Sequence, residues 1–153
     1  MKLTLAAAAL VVAAGAASTA WPASGQSGSR TITLLAPAGG KTTEVAPAKG
    51  GVHAVGAEFI TTNAPLVDPK GKKRAGTMDA TETILSVAAD RVFLTARLER
   101  GTLEATGERR HPGAVSTLAV VGGTGAYVGS RGTVALAEIG EAGGARLTFS
   151  LSG

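Results

Sequence analysis

The sequence has no cysteine, and among its 153 residues there are only one tryptophan, one tyrosine, three phenylalanines and two histidines. Without cysteine there can be no disulfide, thiol nucleophile, zinc-thiolate site or iron–sulfur cluster. The fold must hold by packing and by closing its own backbone hydrogen bonds. The two histidines, His53 and His111, are too far apart to form a short metal-ligand spacing, so a metal centre is not expected. So few aromatic rings give single-stranded nucleic acid no stacking platform. A formal net charge of +4 is also too small to argue for a polyanion, so nucleic acid is not an expected partner.

A hydrophobic run long enough to span a bilayer is missing as well. The longest apolar stretch, residues 3–17, falls short of the roughly 20 residues required. With Lys2 before it and the small residues Ser18, Thr19 and Ala20 after it, the stretch reads as a secretory signal peptide, residues 1–20. Cleavage after Ala20 fits best, with Ala23 and Gly25 as alternatives, and a retained anchor is the competing reading. The mature chain is then expected outside the cytoplasm, extracellular or in the cell envelope, with no stable membrane span. Residues 21–29, WPASGQSGS, are small and polar and predict a flexible mature N-terminus. Residues 30–153 suit one domain with one core.

The chain is rich in glycine and in short β-type segments. Runs of Thr, Val, Leu, Ile and Phe recur between Gly, Pro, Asn, Asp and Lys clusters, the pattern of an all-β sandwich or barrel. The predicted strands are 30–35, 52–62, 73–87, 91–100, 102–107, 114–121, 133–139 and 145–151. Residues 36–51 form a long loop or a loop with one brief strand. In RVFLTARLE, Val92, Leu94, Ala96 and Leu98 share one face while Phe93, Thr95, Arg97 and Glu99 share the other. The segments DPKGKK and GEAGG, residues 68–73 and 140–144, have turn chemistry, and the second predicts a hairpin between the last two strands. No helical stripe occurs beyond the signal segment.

Residues 118–132, LAVVGGTGAYVGSRG, have the look of a nucleotide-binding loop. A dinucleotide fingerprint needs a helix directly after its glycines, so that the pyrophosphate sits on the helix N-terminus. Here Gly129 and Gly132 would interrupt any such helix, and TVALAEI after them reads as a strand. The glycines therefore predict a bend between two strands. The same run, VVGGTGAYVGSRGTV, resembles the late glycine motif of dirigent proteins and of bacterial relatives of allene oxide cyclase. Residues 56–84, GAEFITTNAPLVDPKGKKRAGTMDATETI, and residues 98–107, LERGTLEATG, are similar to earlier blocks of that family in the same order.

This resemblance implies an eight-stranded antiparallel β-barrel of lipocalin-like appearance, often oligomeric as a homodimer or homotrimer. Its lumen would hold a hydrophobic or phenolic small molecule, and it would need no cofactor. Some family members steer a reactive intermediate to one stereoisomer, and others close a ring. By position Arg131 matches the arginine of the family's Ala-Arg-Gly element, Tyr127 matches its aromatic, and Glu58 stands where the family often has Asp.

The candidate catalytic residues are Arg131, Asp79 and Glu104. The guanidinium would hold an oxyanion or carboxylate, and a carboxyl raised by burial would act as a general acid. Tyr127, Glu58 and Thr106 are the candidate ligand contacts, Glu82 and Glu99 are weaker candidates, and there is no metal set. Against each stands a plainer role: a rim arginine in water, a tyrosine packed at the barrel end, strand carboxylates facing solvent. His53 and His111 are expected at the surface, and Lys70, Lys72, Lys73 and Arg74 read as a solvated hairpin. Ionisable groups converging in the lumen, Arg131 with Asp79 or Glu104, would mark an enzyme, and all three facing solvent would remove the catalytic hypothesis built on them; an all-apolar lumen would mark a carrier, and a filled one a structural barrel.

Overall fold

Two-residue alternation builds the fold. In β5 (Ala89–Leu98), Asp90, Val92, Leu94 and Ala96 are buried while Arg91, Phe93 and Arg97 are exposed, as a strand with one wet face requires. The same alternation runs through β7 (Ser116–Gly123), β8 (Arg131–Ile139) and β9 (Gly144–Ser152). The structure, a computed structural model, describes residues 28–49, 54–111, 113–140 and 144–152. The expected signal peptide, most of the expected flexible N-terminus and His53 lie outside the described residues.

The remaining strands are β1 (Arg30–Ala36), β2 (Lys41–Ala46), β3 (Glu58–Val67), β4 (Arg74–Ser86) and β6 (Gly101–Arg110). All neighbours are antiparallel, in the order β1-β9-β8-β7-β6-β5-β4-β3-β2. Pairing of Leu35 with Val67 joins β1 to β3 and closes eight strands into a barrel, so no open edge runs along its wall. β2 is the extra strand, so of the two alternatives for residues 36–51 the loop with one brief strand is the one present. After β1 the chain crosses Pro37 to Gly40 and pairs again along the first half of β3, with Lys41 opposite Thr62.

β3 differs from its expected span. It continues to Val67 instead of stopping near Thr62, because a bulge at Asn63, which adopts φ 55, carries the strand on. Asn is among the few non-glycine residues that tolerate this conformation. Pro65 falls where β3 has left β2 and has not yet met β1. The hairpin expected between the last two strands is present, Ile139 pairing with Gly144.

The glycine-rich stretch joins β7 to β8 through a single 3-10 turn, Gly125–Tyr127, and no helix follows. A Cβ on Gly125 (φ +59) would stand 2.3 Å from the Arg100 carbonyl oxygen, and one on Gly132 (φ +136) only 2.0 Å from that of Ser150. These glycines therefore serve backbone close to backbone, not a phosphate. Tyr127 is buried beneath the turn.

One end of the barrel, called here the lower end, carries this turn, residues 68–73 and residues 99–100. The upper end carries the β1–β2 crossing, the β4–β5 turn, His111 and residues 113–115. Between them the lumen is filled by Leu66, Leu103, Leu118, Val134, Leu147 and Phe149, all fully buried. This packed layer separates the two ends.

Candidate functional site

Toward the upper end the lumen-facing side chains shrink. Ala36, Ala64, Ala80 and Ala145, with Gly144, replace the leucines of the middle layer and leave an open cavity of about 320 Å³. Small side chains at facing positions cannot fill the bore, so the space follows from composition. Its apolar wall includes Met78, Val92, Leu94 and Leu136.

Into this wall are set Glu82, Arg109 and Glu138. Each occupies a lumen position by the alternation of its strand: Glu82 follows Ala80 on β4, Arg109 follows Leu103 and Ala105 on β6, and Glu138 follows Val134 and Leu136 on β8. Arg109 donates to both oxygens of Glu82, Nη1 to Oε1 at 3.1 Å and Nη2 to Oε2 at 2.8 Å, and Nη2 also donates to Oδ2 of Asp90 at 2.7 Å. The same Asp90 oxygen meets His111 Nε2 at 2.7 Å, and His111 Nδ1 stands 3.4 Å from Oε1 of Glu138. A continuous chain of ionisable groups therefore runs Glu82, Arg109, Asp90, His111, Glu138.

Asp90 is almost wholly buried. Burial alone would raise its carboxyl, but the hydrogen bonds from His111 and Arg109 and the charges of both outweigh this and hold it below the ordinary aspartate value. Burial works against the Arg109 guanidinium too, yet the Glu82 charge and the bonds to both carboxylates push it further up. Three carboxylates share this network with one guanidinium and one imidazole, so carboxylates outnumber cationic groups in it. Among the described residues two buried side-chain polar atoms have no hydrogen-bond partner, Arg109 Nε and Oε1 of Glu44. Glu44 lies opposite Phe59, which lies opposite Glu82, so all three share the lumen side.

The residues singled out from sequence lie elsewhere. Asp79 is on the outer face because its neighbour Ala80 takes the lumen position. Its carboxylate accepts the Asn63 N–H at 2.8 Å and pairs with Arg97. That backbone bond is the main reason its carboxyl is lowered, with Arg97 adding to it against a smaller opposing effect of burial. Glu104 is also outside, opposite Thr95 and beside Gly122. Thr106 shares that outer face, its hydroxyl donating to the Val92 carbonyl at 3.0 Å. Arg131 is exposed at the start of β8 and donates to the Ser130 carbonyl at 3.0 Å.

Glu58 lies opposite Thr83 on the outer side. Tyr127 faces the lumen, but at the lower end, far from Arg109. The expected meeting of Arg131 with Asp79 or Glu104 in the lumen is thus corrected: the wet face of each strand takes them. Of the weaker candidates Glu82 does reach the cavity. His111, expected at the surface, is half-buried against Asp90.

No protein-family model and no curated protein sequence matches the chain. Solved structures do. Pyocyanin demethylase aligns at TM-score 0.67 and 23% identity over 80% of this chain and 100% of its own. A pterocarpan synthase dirigent protein aligns at TM-score 0.59 and 20% identity, covering 81% of this chain and 82% of its own. This is the dirigent-type barrel fold. An exo-specific intermolecular Diels-Alderase shares it at TM-score 0.61 and 16% identity, over 82% of this chain and 99% of its own. The dirigent-type barrel is what the glycine-motif resemblance implied, and at these identities the likeness speaks for the fold alone.

Proposed function

We propose that this barrel binds a neutral apolar or aromatic small molecule in its upper cavity after export from the cytoplasm, and guides an isomerisation, cyclisation or stereoselective coupling without a cofactor. The observation that carries the reading is the convergence of Glu82, Arg109 and Glu138 on an otherwise apolar cavity, backed by Asp90 and His111. Arg131, Asp79 and Glu104 all lie on the outer face, so the catalytic reading no longer rests on them; it rests on this different set of ionisable groups converging in the cavity, which favours an enzyme over a carrier. The names of the structural relatives, a demethylase, a dirigent synthase and a Diels-Alderase, are in keeping with chemistry in such a lumen.

The excess of carboxylates disfavours an organic anion and suits a ligand that brings hydrogen-bond donors, such as a phenolic hydroxyl. The apolar wall holds the ring in one orientation, and a carboxylate of Glu138 or Glu82 accepts its hydroxyl proton. With Nε2–H donated to Asp90, the imidazole of His111 turns Nδ1 to Glu138, so a proton taken by Glu138 has an acceptor beside it. Arg109 helps keep Asp90 ionised and holds the Glu82 carboxylate in place through two hydrogen bonds.

Titration calorimetry with naphthol, a neutral aromatic carrying one hydroxyl, tests the reading. Wild type binds it, Ala80→Leu does not, and Glu138→Gln binds it about tenfold more weakly, the loss expected for one hydrogen bond to a charged group. Equal affinity in wild type and Ala80→Leu would reject the upper cavity as the site.

A further inference from the structure

The lower end of the barrel holds a second cavity, of about 290 Å³, cut off from the first by the packed middle layer. Ile32, Leu34, Leu98 and the buried ring of Tyr127 give it an apolar floor. Lys73, Arg74 and Arg100 stand at its rim with Asp68 and Glu99.

The rim charges are not balanced. The Asp68 carboxylate is engaged by the backbone, accepting the N–H of Lys72 at 2.8 Å and of Lys73 at 3.2 Å. Among the described residues none of Lys73, Arg74 and Arg100 has a carboxylate within ion-pair distance. Lys70 and Lys72 add positive charge on the same turn, and the Arg30 guanidinium lies over the Tyr127 ring, 5.2 Å from its centroid. This rim is therefore cationic, whereas the network of the upper cavity is rich in carboxylates.

We propose that the lower cavity is a separate binding site for a small amphipathic organic anion. The anionic head, a carboxylate or phosphate, pairs with Arg74, Arg100 and Lys73, and a short chain or single ring lies on the apolar floor. Guanidinium forks suit such heads because they offer two donors in one plane. The volume sits at the lower bound of ligand pockets, which run from about 300 to 1,000 Å³, and so calls for a small ligand. The same head chemistry could come from a free acid in solution or from a lipid in a bilayer, and the cavity, small and ending on the packed middle layer, fits the free molecule. The assignment does not depend on the activity proposed for the upper end.

The experiment is calorimetry on the whole purified chain with octanoate as probe and octanol as its uncharged counterpart. Octanoate binds, and octanol binds at least tenfold more weakly. The double variant Arg74→Gln, Arg100→Gln, in which both changed side chains belong to exposed residues, loses at least tenfold in octanoate affinity and none in thermal stability. Ala80→Leu, in the upper cavity, leaves octanoate affinity unchanged. Sedimentation with phosphatidylglycerol vesicles separates the two sources. The proposal is overturned by vesicle binding without octanoate binding, by equal affinity for octanol, by an unaffected double variant, or by loss of octanoate binding in Ala80→Leu.

Discussion

Arg109→Met removes the cation at the centre of the upper network and keeps most of the apolar stem. The guanidinium makes three hydrogen bonds to carboxylates, two to Glu82 and one to Asp90. At about 1.5–3 kcal/mol for each bond to a charged group, the gross loss is about 4.5–9 kcal/mol. Glu82 borders the open cavity and regains water, and Asp90 keeps His111. The net cost therefore falls to about 3 kcal/mol, the low end of what stripping one partner from a buried pair produces. For a domain of this size that is roughly 10 °C in Tm.

The pH dependence sharpens the test. In the folded protein the Asp90 carboxyl is held below its ordinary value, so its contribution is complete above the unfolded-state value of 3.8 and is lost as the pH falls through the lower folded one. Without Arg109 part of that depression disappears. The stability gap between wild type and variant is therefore widest at neutral pH and narrows below about pH 4. Urea unfolding followed by far-ultraviolet circular dichroism at neutral and acid pH measures both. A gap below about 0.5 kcal/mol at neutral pH, or one that does not narrow in acid, would refute the argument that Arg109 holds the two carboxylates together.

Ala80→Leu places a larger side chain in existing space, so unfolding free energy should stay within about 1 kcal/mol of wild type while naphthol binding is lost; a larger drop in stability would mean the cavity is not open there. Gly132→Ala sets a Cβ against the Ser150 carbonyl oxygen in a backbone conformation that side chains avoid, and should destabilise by roughly 3 kcal/mol or more in the same urea assay. Asp79→Asn weakens the tie between the Asn63 bulge and β4 and breaks the exposed pair with Arg97, for a loss of about 1 kcal/mol at neutral pH. Because the Asp79 carboxyl is lowered in the fold, that loss should fade as the pH drops below about 4, and naphthol affinity should not change.

Much of the barrel could be read from the chain, because strand alternation and turn chemistry are local. RVFLTARLE shows its two faces directly, and the pairing of β8 with β9 follows from GEAGG between two alternating runs. What escaped was longer in range. That β3 runs through Asn63 and Pro65 depends on β1 and β2 sharing one of its edges, and no local signal reports that arrangement. The cavity depends on several alanines from distant strands facing one another, which their abundance permits but does not locate.

The site residues are a different matter, since their faces were within reach of counting. Once Val92, Leu94 and Ala96 are taken as lumenal, a tight turn at Glu99 and Arg100 sets Leu98 opposite Gly101, and Thr95 is then opposite Glu104. Glu104 and Thr106 go outside by that step alone, and Leu103, Ala105, Gly107 and Arg109 go inside. Asp90 lies two residues before Val92 and is inside for the same reason, and Glu82 lies between the buried Ala80 and Ile84. A charged residue that falls on the lumen phase of its strand must find a partner of opposite charge on a neighbouring strand. Glu82, Asp90 and Arg109 are three such residues on three consecutive strands, and their signs match. The physical signal for the upper site was therefore a charge out of phase with its own face. The carboxylates with small or polar neighbours, Asp79 and Glu104, were in phase with the solvent, and water already satisfies a charge placed there.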